Sequence, residues 1–265
     1  MIYLKTAQEI EKIRKAGDLL SRALGEVARW VRPGVTTKRL DDIAREFILD
    51  NGGKPTCLGY HGFPGTLCIE VNETVVHGFP SAYTLQEGDI VGTDSVCELD
   101  GYNADMCYTF AVGEIDPKVQ ELLDTTRAAL YKGIAAAKEG KRIGDIANAV
   151  QTYCERRNFS VVREMCGHGI GKSMHEDPEV PNYGRRGIGA VLRNGMVICI
   201  EPMINMGSKN IVISSDGWQC RTRDRKPSAH FEHTIAIDGE TPQILTTFDY
   251  IEAALEQNKI DQNLQ

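Results

Sequence analysis

The order of predicted elements limits this chain more than any single residue does: two helices and then a set of short strands, twice over. The first round opens at Thr6-Ala7-Gln8-Glu9, a capping box in which a hydroxyl and a carboxylate satisfy free amides at a helix start. Apolar residues Ile10, Ile13, Leu20, Leu24, Val27 and Val31 then recur at helical spacing until Pro33-Gly34. A second helix carries Leu40, Ile43, Phe47 and Ile48 and stops at Asn51-Gly52-Gly53. β-rich stretches follow at Leu67 to Val71, Thr74 to His77, Asp89 to Cys97 and Tyr102 to Val112.

The second round opens at Asp116-Pro117, an N-cap followed by proline at the first helical position, where its missing N–H costs nothing. Val119, Leu122, Leu123, Leu130 and Ile134 give one helical face, and Ile143, Ile146, Ala147 and Val150 the next. Ile143-Gly144-Asp145-Ile146-Ala147 aligns with Leu40-Asp41-Asp42-Ile43-Ala44 at an offset of 103. Strands return at Val161 to Met165, Met196 to Glu201, Ile211 to Ser214 and Phe231 to Ile237. The pattern predicts an α/β (α+β) fold of two helix-helix-sheet halves, roughly 1 to 115 and 116 to 250, with 251 to 265 as a tail. The joint at Gly113-Glu114-Ile115-Asp116-Pro117 is tight, so the halves are expected to share one core and to leave a cleft between them.

The chain's 265 residues make one large domain at ~150 residues per domain, and its 30 Lys+Arg against 37 Asp+Glu leave a net charge of −7. With no basic tract, such a surface repels polyphosphates, which argues against a nucleic-acid ligand. No apolar run approaches the ~20 residues that span a bilayer, and the opening MIYLKTAQEI lacks the pattern of a secretory leader. The eight cysteines include no C-x-x-C pair and no short-spaced framework, so they read as reduced core thiols. A cytoplasmic protein is expected.

The stretch Asp89 to Asp105 reads as a hairpin turning at Leu99-Asp100-Gly101. A Leu99-Asp100 loop would put Asp94 and Asp105 directly opposite each other; an Asp100-Gly101 loop would make them diagonal neighbours. Either way they share one face, where like charges repel unless protons or a cation neutralise them. Taken singly, the pair reads as a solvated face, His168 in Gly167-His168-Gly169 as a structural turn residue, and Glu201 and Glu232 as solvated strand edges. Carboxylates in apolar strands nevertheless demand compensation, and both Glu201 and Glu232 are expected inside such strands. Asp94, Asp105, His168, Glu201 and Glu232 together make an oxygen-rich set suited to Mn, Fe(II), Co or Zn in a paired site, with ions ~3.5–4 Å apart. His77 and His175 look placed for substrate, although taken singly each reads as an ordinary surface or core histidine, as His61, His230 and His233 do. His233 is expected to point away from Glu232, because adjacent strand residues face opposite ways.

Tyr60-His61-Gly62-Phe63-Pro64, Val71-Asn72-Glu73 with His77-Gly78, the Asp94 and Asp105 hairpin, Gly167 to Gly171, His175-Glu176-Asp177-Pro178, Glu201-Pro202-Met203 and Glu232-His233-Thr234 stand in a characteristic order and spacing. In these motifs, from Thr6 to about Thr246, the chain resembles type I methionine aminopeptidases of the short bacterial kind. The resemblance implies the pita-bread fold, with pseudo-twofold symmetry around an antiparallel-rich sheet, in a single catalytic domain. It implies two divalent ions, with Asp94 on the first, His168 and Glu201 on the second, and Asp105 and Glu232 bridging. Glu201 is then the proton shuttle, His175 the group that meets the developing carbonyl charge, and His77 the contact to the scissile amide nitrogen. A methionine pocket falls on Cys57, Tyr60, Phe63, Cys68, Met174 and Trp218. The resemblance further implies a monovalent cation near Asn72, Thr74 and Ser228, a small second residue in the substrate, and a monomer acting on nascent chains near the ribosome.

The chain departs from the family pattern at Ala104 and Met106, which flank Asp105 where Gly and Thr are usual. It departs also at Thr93, where an apolar residue is common, and at Met174, where Phe is common. All five metal ligands are present, so activity is expected. The rival readings are an X-Pro aminopeptidase or prolidase, which carries a further N-terminal domain, and a non-catalytic binding module of the same fold, which loses metal ligands.

Overall fold

The computed structural model describes residues 1–263, and its elements run in the doubled order predicted above. The first round comprises α1 (Ala7–Ala28), α2 (Thr37–Asp50), β1 (Lys54–Pro55), β2 (Cys68–Val71), β3 (Thr74–Val76), β4 (Ile90–Leu99) and β5 (Tyr102–Ala111). The second begins with α3 (Pro117–Ala136), α4 (Ile143–Glu155), β6 (Ser160–Val161), β7 (Gly167–Gly169), β8 (Glu176–Val180) and β9 (Val197–Ile200). It continues through β10 (Met203–Asn205), β11 (Ile211–Ile213), β12 (Cys220–Thr222), β13 (Ser228–His230), β14 (His233–Ala236), β15 (Gln243–Ile244) and α5 (Asp249–Asn263).

The local signals act as their chemistry requires. Thr6 Oγ1 accepts the Glu9 N–H at 3.3 Å while the Glu9 carboxylate accepts the Thr6 N–H at 2.8 Å, closing the capping box of α1. Asp116 accepts the Lys118 N–H at 2.7 Å at the start of α3, with Pro117 as its first residue. Ile13, Leu20, Leu24 and Val27 form the buried stripe of α1, which lies against β4 and β5. α3 packs on β9, β10 and β13, and one apolar cluster runs from Leu20 and Leu24 through Phe110 to Leu130, Ile198 and Phe231, crossing both halves.

The expected tail at 251 to 265 is instead helical: α5 buries Ile251 and Ala254, and Asn258 Nδ2 donates to Ala28 O at 3.1 Å. Its apolar stripe is short and gains a partner only when α1 lies beside it; residues 264 and 265 lie outside the described residues. Strands β1, β7, β8, β10, β12, β13 and β15 carry no readable pattern of their own, because each is only two to five residues long and takes its shape from the strand it pairs with.

All strand pairs are antiparallel. One sheet orders β1-β4-β2 with β5 on the free side of β4, and another orders β15-β14-β9-β7-β8. Two three-stranded sheets, β13-β10-β6 and β11-β12-β3, complete the set. β4 and β5 pair Leu99 with Tyr102, so the hairpin loop is Asp100-Gly101, with φ of 52° and 78° as a two-residue primed turn demands. Asp105 sits opposite Val96, which makes Asp94 and Asp105 diagonal neighbours on one face.

A seam joins β5 to residues 230 to 234. Thr234 Oγ1 accepts the Asp105 N–H at 2.9 Å and donates to Asp105 O at 2.8 Å. Thr109 Oγ1 likewise accepts the His230 N–H at 3.0 Å and donates to His230 O at 2.7 Å, and between them the Glu232 N–H donates to Cys107 O at 3.0 Å. Thr234→Val keeps the shape but orphans a buried N–H and C=O, each costing about 1–3 kcal/mol, so a loss of about 2–4 kcal/mol is expected in urea unfolding. Wild-type stability in that variant would remove the seam from the account.

Candidate metal centre

Strand registers carry the acidic residues to one place. Cys68, Asp94 and Cys107 pair in a row across β2, β4 and β5, and the Glu232 N–H bonded to Cys107 O extends that row across the seam. Asp105, two residues along β5, projects from the same face. From the other sheet, Glu201 follows β9 and His168 lies within β7. Glu201 and Glu232 therefore stand at strand termini, not inside strands as the sequence suggested. At a strand end a side chain can turn into the cleft while the apolar run behind it stays in the core.

His168 Nε2 is 3.5 Å from Asp105 Oδ2 and 3.7 Å from Glu201 Oε1. Its Nδ1 lies 2.9 Å from Gly169 O, a partner that only accepts, so Nδ1 donates there and Nε2 is the ring nitrogen turned to the carboxylates. Asp105 Oδ1 and Glu232 Oε1 are buried without any hydrogen-bond partner. Burial, and then the charges of Asp105 and Glu70, push the Asp94 carboxyl well above its ordinary range. Burial, with repulsion from Asp105, Glu201 and Asp94, does the same to Glu232. Glu201 is pushed up to about 7, by burial against the opposing pull of His168 and His230. Burial disfavours the His168 imidazolium, but its bond to Asp105 and the Glu201 charge outweigh that and raise it to about 9. Bare carboxylate oxygens, mutual repulsion and an imidazole nitrogen aimed at the same point together form a donor set that fits divalent cations.

The four carboxylates and one imidazole just described, His77 and His175, and the six pocket residues all line one cavity of about 790 Å³. His175 meets His168 edge-on with ring centroids 4.4 Å apart, and its Nδ1 is 3.2 Å from the Tyr60 hydroxyl. Burial and the neighbouring His168 hold His175 down at about 4, so it is neutral at neutral pH. Phe63 and Trp218 meet edge-on at 5.3 Å, and Trp218 meets His77 at 6.0 Å. Ala104, Met106 and Thr93 point to the opposite face, where Met106 Sδ touches Ser21 Oγ of α1 at 3.5 Å. The departures beside Asp105 thus repack a helix contact and leave the acidic face unaltered. His233 points away from Glu232 as expected, stacking on Phe248 at 4.0 Å.

Sequence reasoning missed four neighbours of this centre. Cys199 on β9 lies with Asp105, His168 and Glu232 as a group of possible metal donors, and Glu70, Cys107 and His230 form a second buried group. His230 is therefore no ordinary core histidine. Its signal was available only as Glu70 inside the apolar strand Cys68-Ile69-Glu70-Val71.

The sequence model of metallopeptidase family M24 matches residues 11–239. A methionine aminopeptidase of Clostridium perfringens is 49% identical over 93% of this chain and 99% of its own length. The chain belongs to the methionine aminopeptidases. The crystal structure of methionine aminopeptidase from Rickettsia prowazekii superposes with a TM-score of 0.92 at 40% identity, covering 93% of this chain and all of that one. A prolidase from Pyrococcus horikoshii, 22% identical with a TM-score of 0.75 over 93% of this chain and 64% of its own, shares the fold alone. The enzyme is accordingly a pita-bread metalloaminopeptidase that binds divalent metal, and no helix among the described residues is long and apolar enough to cross a membrane.

Because Asp94, Glu201 and Glu232 are raised and His168 is held near 9, the metal-free centre carries protons that a cation must displace. Mn(II) affinity of the chelator-stripped enzyme is therefore expected to rise between pH 6 and 8, with proton release visible by calorimetry in buffers of different ionisation enthalpy. Affinity independent of pH would contradict this electrostatic picture.

Proposed function

We propose that Asp94, Asp105, His168, Glu201 and Glu232 hold two divalent ions, with Asp94 on the first, His168 and Glu201 on the second, and Asp105 and Glu232 between them. The convergence of these five side chains, two of them with bare buried oxygens, carries the reading. Ions bound there supply Lewis acidity toward the scissile carbonyl and the attacking water. Mn, Fe(II), Co and Zn all suit this donor set, and supply in the cell selects among them.

The chain's own residues then divide the work. Glu201, which changes protonation near 7, takes the proton of the attacking water and passes it to the leaving amine. With the Tyr60 hydroxyl donating to His175 Nδ1, Nε2 of this neutral imidazole carries the proton and donates it as a hydrogen bond to the carbonyl oxygen as charge develops. His77, on the same wall as Trp218, contacts the scissile amide nitrogen. The substrate's free α-amino group sits beside Asp94, which confines cleavage to the first residue. Cys57, Tyr60, Phe63, Cys68, Met174 and Trp218 receive the methionine side chain, whose thioether suits sulfur and aromatic walls. A small second residue in the substrate belongs to the same reading.

The same reading gives a monovalent cation to the carbonyls around Asn72, Thr74 and Ser228, which the Ser228 N–H to Asn72 O bond of 2.9 Å draws together. It also gives a cytoplasmic monomer, all in one catalytic domain, acting on nascent chains near the ribosome.

Chelator-stripped enzyme is expected to release free methionine from Met-Ala-Ser only after Mn(II) or Co(II) is added, and little from Leu-, Phe- or Pro-led analogues. Metal-independent release, or equal turnover of the Pro-led peptide, would refute the reading. Glu201→Gln is expected to lower kcat by roughly 10²–10⁴, and near wild-type turnover would remove Glu201 from proton transfer.

A further inference from the structure

We propose that His230 is a sixth protein ligand of this metal centre, with its ring held in the ligating orientation by Glu70. The inference rests on the dimetal reading above and extends it to two residues outside the five.

Strand register brings the pair together. Glu70 of β2 lies opposite Gly92 of β4, Gly92 opposite Thr109 of β5, and Thr109 is bonded through its hydroxyl to the backbone of His230. Glu70 reaches His230 across that row because Gly92 has no side chain: a Cβ there would lie 2.4 Å from Glu70 Oε2. Both side chains are only 2% exposed.

The orientation of the imidazole is set from one side only. His230 Nδ1 is 3.1 and 3.2 Å from the two Glu70 oxygens, and a carboxylate only accepts, so Nδ1 carries the proton. Cys107 Sγ, 3.8 Å from Glu70 Oε2, braces the carboxylate from behind. The other ring nitrogen, Nε2, is buried with no hydrogen-bond partner at all. It lies 3.9 Å from Glu201 Oε2 and 4.0 Å from Glu232 Oε2. A histidine whose Nδ1–H is given to a carboxylate while Nε2 stands bare is the arrangement of metal-bound imidazoles. An ion about 2.0–2.2 Å from each donor spans donors up to about 4.2 Å apart, so both separations are within reach of one ion.

His168 approaches the other oxygen of Glu201, at 3.7 Å from Oε1. Two imidazoles therefore flank one carboxylate, which puts His230 on the side of the second ion.

The test uses the full chain, stripped with chelator, and Co(II) alone as probe, read by calorimetry and by X-ray absorption at two equivalents. Wild type is expected to bind two Co(II) with two imidazoles per chain, from His168 and His230. His230→Ala is expected to show one imidazole and to bind one of the two ions about 10–100-fold more weakly or worse. Glu70→Gln is expected to weaken that same ion about 10-fold with the imidazole count retained. A single imidazole in wild type, or a folded His230→Ala that binds both ions with wild-type affinity, overturns the inference and leaves the dimetal reading intact. Fewer than two Co(II) in wild type overturns both. If His230→Ala does not fold by circular dichroism, the wild-type imidazole count decides alone.

Discussion

Two threonine hydroxyls replace part of a strand ladder where the halves meet, and the acidic centre exists because of them. Thr234 satisfies both backbone groups of Asp105, and Thr109 satisfies both of His230. The Glu232 N–H to Cys107 O bond between them fixes the register. A slip of one residue would turn Glu232 to the opposite face and separate it from Asp105. Each threonine serves the opposing segment, so the seam is reciprocal, as an antiparallel join must be.

That register forces charges together that would otherwise stay apart. Asp94, Asp105, Glu201, Glu232 and Glu70 project into one buried region, and burial and repulsion raise four of them. The apolar cluster that spans both halves supplies the stability that holds such a site in place. His168, raised to about 9, is the cationic relief available when no metal is bound, and divalent ions are the stronger relief when they are. Binding to the native state alone stabilises it by mass action, so the same ions that serve the chemistry also tighten the seam.

The cavity divides its electrostatics by wall. The carboxylates line one side, whereas His175 stays neutral because burial and the adjacent His168 hold it down at about 4. A neutral imidazole donates a hydrogen bond without competing with the cations for the carboxylates. Sulfur and aromatic groups from Cys57, Phe63 and Trp218 close the remaining side.

Much of this was legible locally. The capping box at Thr6, the Asp116-Pro117 start and a hairpin turning within Leu99-Asp100-Gly101 follow from the bonding needs of neighbouring residues, while the register of β4 and β5 chose Asp100-Gly101 as the loop. The four acids and the His168 imidazole, with His77 and His175, stood out through their motifs, and all of them line one cavity. Helix α5, the short strands, and the strand-end placing of Glu201 and Glu232 were not legible, because each is fixed by the element it packs or pairs with and not by a pattern of its own. Glu70, Cys107 and His230 show the same limit most sharply. Separately they are a glutamate in an apolar strand, a core thiol and a histidine two residues before a glutamate. The sequence by itself determined the starts of α1 and α3, the hairpin and the types of side chain gathered in the cavity, since those depend on residues within a few positions of one another. Only the tertiary structure decided that Glu70 passes over Gly92 to reach His230, because cross-strand register is set by long-range pairing and seam hydrogen bonds that no local pattern encodes.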